Sequence, residues 1–435
     1  MSDPATLSLV ASLGTMAILF MAGAQIGVVL ALAGIVGSAI FTGDATIGAK
    51  LLALQSLDVT SNYSLLVIPL FIALGSLAAS SGITTDLFSA YYKWFGRIAG
   101  GIAIATIATC ASMAAITGSS VAVAAAMCRI ALPELRRYKY NLALSVGAIC
   151  VGGTVAIMIP PSITLVLFAI FAEESVGKLL IAGVVPGLLI AALYAVLILV
   201  LCHFKPDLGP PGPSFPRSEK IASIKLVVPF AAVVLSVVVG MLAGIWTPVE
   251  AAAVGVLLVL LIGIVRRTQS LRGILLAFRD SAMMSASVMI VVVGSLVYSN
   301  FLALNGFSET VTQGIIALQL PPFLLYLMLI GIYLVLGCLM EVTSILALTV
   351  PLIVPVVKAV GWSPIWFGVI VVSMMEVAAV TPPVGLNLYA VKAAAQDVPI
   401  GLIALGSLPF WLVNIAVVFI LYFFPEIALW LPSHM

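Results

Sequence analysis

Charge is scarce in this 435-residue chain: Asp, Glu, Lys and Arg together make up 8% of it, against roughly 25% in an ordinary soluble domain. With 63% of residues hydrophobic, too little polar sequence remains to cover a soluble surface. The net charge of +2 gives no basic patch, so nucleic acid is not an expected partner. Histidine is nearly absent, with one in a polar stretch (His203) and one at the C-terminus (His434). There is no HExxH, no Walker lysine loop and no CxxC, which argues against an enzyme, against ATP hydrolysis and against a bound cofactor. The five cysteines (Cys110, Cys128, Cys150, Cys202, Cys338) stand singly in or beside apolar segments and read as small packing residues. The N-terminal MSDPATLSLV lacks a basic region, so the first apolar stretch is expected to be a retained span rather than a cleaved signal peptide.

What the chain does contain is a succession of apolar runs near the length that crosses a bilayer. They fall at 6–23, 25–42, 64–81, 100–116, 119–135, 143–172 and 179–202. After a Pro- and Gly-rich polar stretch they resume at 226–245, 248–265, 283–304, 322–340, 342–358, 364–395 and 400–424. The pairs 100–135 and 322–358 read either as two crossings or as re-entrant hairpins, and 143–172 and 364–395 are interrupted in the middle. With the loop at 82–99 placed in the cytoplasm, all of the 18 Lys and Arg fall inside except Lys50, Lys178 and Lys358. The positive-inside rule then puts both termini outside.

A shift of 222 positions superposes Pro133 on Pro355, Pro160-Pro161 on Pro382-Pro383, and Leu180-Ile181-Ala182 on Leu402-Ile403-Ala404. Prolines recurring at the same breaks point to internal duplication. Five crossings plus one hairpin per half make the second half enter from the opposite side. The fold expected is therefore an all-α polytopic membrane protein of two inverted repeats. They run 1–203 and 226–435 with a cytoplasmic linker at 204–225. Such transporters bind substrate near the midplane, where the repeats meet.

The first candidate site is the broken span with Gly152, Gly153, Thr154, Pro160, Pro161 and Ser162. Proline removes a helical donor and unfits the residue before it for helix, freeing carbonyls where water is absent. Those carbonyls suit a hard monovalent cation such as Na⁺; the alternative is a kink satisfied by neighbouring helices. The break recurs at Thr381, Pro382, Pro383, Val384, Gly385 and Asn387. The second candidate is the pair of hairpin tips. At Gly118, Ser119 and Ser120 one half-helix can end on Gly and the next begin on a Ser cap. Glu341, Thr343 and Ser344 form the matching tip. A half-helix C-terminus offers carbonyls to a cation and an N-terminus offers amides to an anion; ordinary intrahelical bonding of the hydroxyls is the alternative. Glu341 and Glu376 lie inside apolar spans without a basic neighbour, so each is expected to serve as cation ligand, proton carrier or protonated donor. Glu250 reads as a span boundary.

TGSSVAVAAA (117–126), GGTVAIMIPPS (152–162), SVGKLLIAGVVPG (175–187) and TPPVGLNLYAVK (381–392) resemble the large membrane subunit of TRAP (tripartite ATP-independent periplasmic) transporters, and the resemblance covers nearly the whole chain. It implies a Na⁺-driven importer of small organic anions, carboxylates or sialic acid, in a bacterial or archaeal cytoplasmic membrane. That is the inner membrane of a Gram-negative cell. It further implies an external substrate-binding protein, a small four-span subunit expected as a separate polypeptide, and an elevator mechanism. Na⁺ would sit at Ser119 with Gly153 and Thr154, and at Thr343 with Thr381 and Gly385. The family commonly carries Asp where this chain has Glu341. A stand-alone anion symporter and a non-transporting membrane scaffold are the competing readings.

Overall fold

The computed structural model describes residues 4–383 and 385–435, so Val384 of the second break lies outside the described residues. Every described element is helical. Eight helices among them are long and apolar enough to cross a membrane. The chain is a multi-pass membrane protein.

The helices repeat in one register. Pro4–Met21 and Ile26–Thr42 correspond to Arg217–Leu242 and Pro248–Val265. Ser120–Arg137 and Leu142–Thr154 correspond to Val342–Ala359 and Pro364–Ala379. Ile163–Phe171 corresponds to Leu386–Ala394, and both Pro-Pro bonds between these paired segments are cis. Both split pairs end and restart helix at a sharp tip, as a hairpin requires.

Three features depart from the sequence reading. A further helix, Ala45–Ser61, lies between the expected spans 25–42 and 64–81. Its counterpart is the first half of the 34-residue helix Leu271–Leu304, which begins well before the expected span at 283. The first repeat breaks this long helix at Asn62, whose side-chain oxygen caps the Ser64 amide at 2.9 Å. The linker is also shorter, because residues 217–225 already belong to the helix Arg217–Leu242. Two amphipathic helices, Ile83–Phe95 and Phe307–Ala317, occupy stretches read as loops and lead into the two hairpins. Glu250 stands at a helix start, in a capping box with Thr247.

Small residues set the tightest helix contacts. Helix Ile26–Thr42 lies against Leu271–Leu304 through Gly27 and Gly294, each with its Cα on the partner backbone, so that no Cβ fits at either. Gly147 and Gly406 join Leu142–Thr154 to Ile400–Phe423 in the same way. In a bilayer, where burial from water does not drive helices together, such close approach supplies dispersion contacts.

The repeats interlock. The second half of each broken helix packs on the other repeat's hairpin: Leu386–Ala394 on Ser120–Arg137, and Ile163–Phe171 on Val342–Ala359. Two ion pairs repeat this exchange. Arg136 at the end of the first hairpin meets Asp397 at 2.6 Å. Lys358, its equivalent in the second, meets Glu174 at 3.1 Å. The Arg136 guanidinium bound to Asp397 holds that carboxyl below the usual range. The pair therefore contributes fully above the ordinary Asp pKa and is lost as pH falls through the lowered one. Asp397→Arg is expected to lower the melting temperature at neutral pH, and adding Arg136→Asp to restore most of the loss. Equal melting temperatures for the single and double variants would show the pair to be uncoupled.

Candidate functional site

The first hairpin tip forms where Gly101–Thr117 ends on Gly118 in the left-handed conformation, φ +59°. The chain then passes through extended Ser119, the cap of Ser120–Arg137, whose hydroxyl accepts the Ala122 amide at 3.4 Å. Glycine is needed at 118 for the turn and for proximity: a Cβ there would stand 2.6 Å from the Pro161 carbonyl oxygen. Gly153 is needed for the same closeness, since its Cβ would stand 2.7 Å from the Ser120 carbonyl oxygen. The structure thus brings Gly118, Ser119 and Ser120 together with Gly153 and Pro161. The Pro161 and Ser120 carbonyls lie at these two contacts, and Ser119 and Ser120 are only half-buried.

At the break itself, helix gives way to a 3-10 turn at Val155–Ile157 and resumes after Ser162. The Ser162 hydroxyl donates to the Ile157 carbonyl and accepts the Leu165 amide at 3.1 Å. It closes the break from within the same segment and caps the next half-helix. The Thr154 hydroxyl donates to the Val151 carbonyl at 2.8 Å, which leaves its oxygen lone pairs for another group. Gly152 packs beside the Cys110 side chain.

At the second tip, Glu341 occupies the position that Ser119 holds in the first, as the cap of Val342–Ala359. Its carboxylate accepts the Thr343 amide at 2.9 Å, the Ser344 amide at 3.3 Å and the Thr343 hydroxyl at 3.0 Å. An exposed carboxylate on a helix N-terminus is favourably placed. This accounts for the charge without a basic partner. The Thr381 hydroxyl donates to the Val377 carbonyl at 2.6 Å and accepts the Trp411 indole N–H at 3.0 Å. A Cβ on Gly385 would stand 3.1 Å from the Thr381 carbonyl oxygen, so these two backbones are neighbours, while Pro382 and Pro383 are exposed. Asn387 behaves differently from its neighbours: its amide donates across the repeats to the Cys150 carbonyl at 3.1 Å. Its side chain belongs with the first broken helix and not with the second tip. Glu376 is wholly buried on Pro364–Ala379.

A cavity of about 450 Å³ opens at the first tip, between Thr117, Ser119 and Ala122 of the hairpin and Ser76, Ser80 and Asp280 of the surrounding helices. Ser76, Ser80 and Asp280 were not singled out from sequence. Serines are common in apolar helices, and only the fold brings these to the tip. Ser76 accepts from Ser281 at 3.2 Å and Ser80 from Gln269 at 3.1 Å. A larger cleft, about 760 Å³, lies among Asp58, Asn62, Glu173 and Glu174, and neither hairpin tip lines it. The first-tip cavity contains no basic side chain, so an anion there would rest on amide hydrogens, hydroxyls and a companion cation.

Residues 13–427 match the family described as tripartite ATP-independent periplasmic transporter, DctM component. A C4-dicarboxylate TRAP transporter large permease protein of Pseudomonas aeruginosa is 31% identical over 405 residues, 93% of each chain. A sialic acid TRAP transporter large permease protein of Vibrio cholerae is 29% identical, covering 89% of this chain and 90% of its own. Among solved structures, the Alcanivorax borkumensis YdaH transporter, described as having an unusual topology, shares the fold with a TM-score of 0.61 at 14% identity. The match covers 87% of this chain and 89% of that one.

Proposed function

The chain belongs to the DctM component family of tripartite ATP-independent periplasmic transporters, and from that premise we propose that it is the transport subunit of a Na⁺-coupled importer of small organic anions. The single observation that carries this reading is the first tip, where Gly118 and Gly153 let the Pro161 and Ser120 carbonyl oxygens close on their neighbours, beside a cavity that Ser119 lines and that has no basic side chain. A Na⁺ held by those oxygens, with Thr154 nearby, supplies the missing charge. The half-helix N-terminus at Ser119–Ser120 supplies amides to the substrate's carboxylate. Thr343, Thr381 and Gly385 form the second Na⁺ position. A substrate-binding protein outside delivers the anion, and a separate four-span subunit completes the membrane part.

The two hairpins and broken helices form one interlocked body, which moves as an elevator against the remaining helices. The distribution of Lys and Arg supports external termini, and membership of the family supports a cytoplasmic-membrane location. Substrates of the carboxylate or sialic acid class are the first to test, since relatives named for both match at similar identity.

Ser119→Ala removes the tip's one hydroxyl cap while leaving the backbone. The Na⁺ concentration giving half-maximal uptake is expected to rise by about tenfold, the equivalent of roughly 1.4 kcal/mol. Uptake kinetics in proteoliposomes check this; an unchanged Na⁺ requirement removes Ser119 from the site.

A further inference from the structure

A second group of polar side chains lies away from both tips, in the apolar interior between the repeats. Glu376 on Pro364–Ala379 is 0% exposed, and neither carboxylate oxygen has a hydrogen-bond partner among the described residues. The Tyr194 side chain, on Val184–Phe204, packs edge-on against Phe410, one turn before Asn414 on Ile400–Phe423, and lies near Glu376 and Thr154. Yet its hydroxyl makes no hydrogen bond of acceptable geometry to any of these polar groups. Asn414, on Ile400–Phe423, is 1% exposed, and both its amide oxygen and its amide nitrogen are unpaired. The Asn387 oxygen is buried and unpaired as well, while its nitrogen is tied to the Cys150 carbonyl of the first broken helix. Four helices, one from the first repeat and three from the second, therefore bring unpaired oxygens into one region.

Buried polar atoms without partners are uncommon in native proteins, and a cluster of them calls for a ligand. Its charge can be read from the surroundings. No Lys or Arg occurs on Leu142–Thr154, Val184–Phe204, Pro364–Ala379 or Ile400–Phe423, and Lys392 on Leu386–Ala394 is turned to the Gln396 carbonyl, so none of these helices supplies a charge to Glu376 among the described residues. Oxygens also outnumber hydrogen-bond donors: in this cluster the unpaired donors among the described residues are the Tyr194 hydroxyl and the Asn414 amide. A proton on Glu376 would cancel its charge but, as a single donor, pair only one of the two amide oxygens. A hard cation answers both needs at once, because it takes carboxylate, amide and hydroxyl oxygens together. The single carboxylate balances one positive charge. Among the described residues no group of three His, Cys, Asp or Glu exists to hold a divalent metal.

We propose that Glu376, Tyr194 and Asn414 form a buried site for one monovalent cation, Na⁺ by its hardness, at the junction of the two repeats and separate from the hairpin tips. Thr154 lies between this site and the first tip, so cation binding here steadies the break on which the tip closes. Occupancy would also link helices of both repeats into one unit.

The test is direct binding by the full-length chain purified in nanodiscs, independent of transport. Radioactive ²²Na⁺ bound per chain is counted at saturation, and thermal unfolding is followed while Na⁺ replaces choline at constant ionic strength. Glu376→Gln, nearly the same shape without the charge, is expected to bind one Na⁺ fewer and to lose part of the Na⁺-dependent rise in melting temperature. Tyr194→Phe, which removes a single oxygen, is expected to keep the site with severalfold weaker affinity; it also serves if Glu376→Gln does not fold. Ser119→Ala separates the two ideas: loss of one ion in Glu376→Gln stands whether or not Ser119→Ala changes anything. Unchanged stoichiometry and affinity in Glu376→Gln overturns the proposal, as does unchanged affinity in Tyr194→Phe. Stabilisation of the wild type by acid in place of Na⁺ would make Glu376 a protonated donor and overturn it too.

Discussion

Gly118→Val is expected to cut Na⁺-dependent uptake by about a hundredfold or more while the protein still reaches the membrane. The residue sits at φ +59°, where a β-branched side chain is an outlier. Leaving the left-handed turn or holding valine in it costs roughly 1–3 kcal/mol. The first added carbon would also stand 2.6 Å from the Pro161 carbonyl oxygen. The tip must then withdraw from the broken helix, and the oxygens meant to converge on the cation separate. Gly314→Val is a suitable control, because no atom lies within 4 Å of the carbon it would add. Uptake in proteoliposomes, normalised to reconstituted protein, checks both. Equal rates for Gly118→Val and wild type would mean that contact between tip and break is dispensable.

Gly406→Leu is expected to prevent assembly of the folded chain. Its Cβ would collide with the Ala143 carbonyl, and the facing Gly147 leaves no room on the other helix. Overpacking a core costs about 1–3 kcal/mol when side chains can give way. Here the obstacle is backbone, so the helices must part and the cost reaches the upper end or beyond. Size-exclusion profiles and melting of the purified variant report this. A monodisperse Gly406→Leu with the wild-type melting temperature would show that the two helices are not held in this register.

Much of this was legible in the sequence because prolines and glycines act locally. The pairs Pro160-Pro161 and Pro382-Pro383 break helices wherever they stand, and Gly118 between apolar arms marks a turn. The repeat register followed from these residues, and it correctly set Glu341 opposite Ser119 at the same capping position. The helix Ala45–Ser61 escaped notice because Lys50 and Asp58 dilute its apolar pattern. The amphipathic helices before each hairpin were missed for the same reason, since span-finding looks for uniformly apolar runs. Glu376 stood out as a lone carboxylate in an apolar run. Tyr194 and Asn414 did not, because tyrosine and asparagine are tolerated in spans and only packing of distant helices brings them beside it. Asn387 reaches across the repeats for a related reason. It follows the second break in sequence, but the interlocked repeats turn its side chain to Cys150 of the first.

The central claim, a Na⁺-driven importer fed by a binding protein, is tested most directly by reconstituting the chain with its small membrane subunit in liposomes. A binding protein loaded with radiolabelled C4-dicarboxylate or sialic acid is added outside. Uptake is then followed with and without an inward Na⁺ gradient. The account predicts accumulation only when gradient and binding protein are both present. Accumulation of free substrate without the binding protein, or at the same rate without Na⁺, would contradict it.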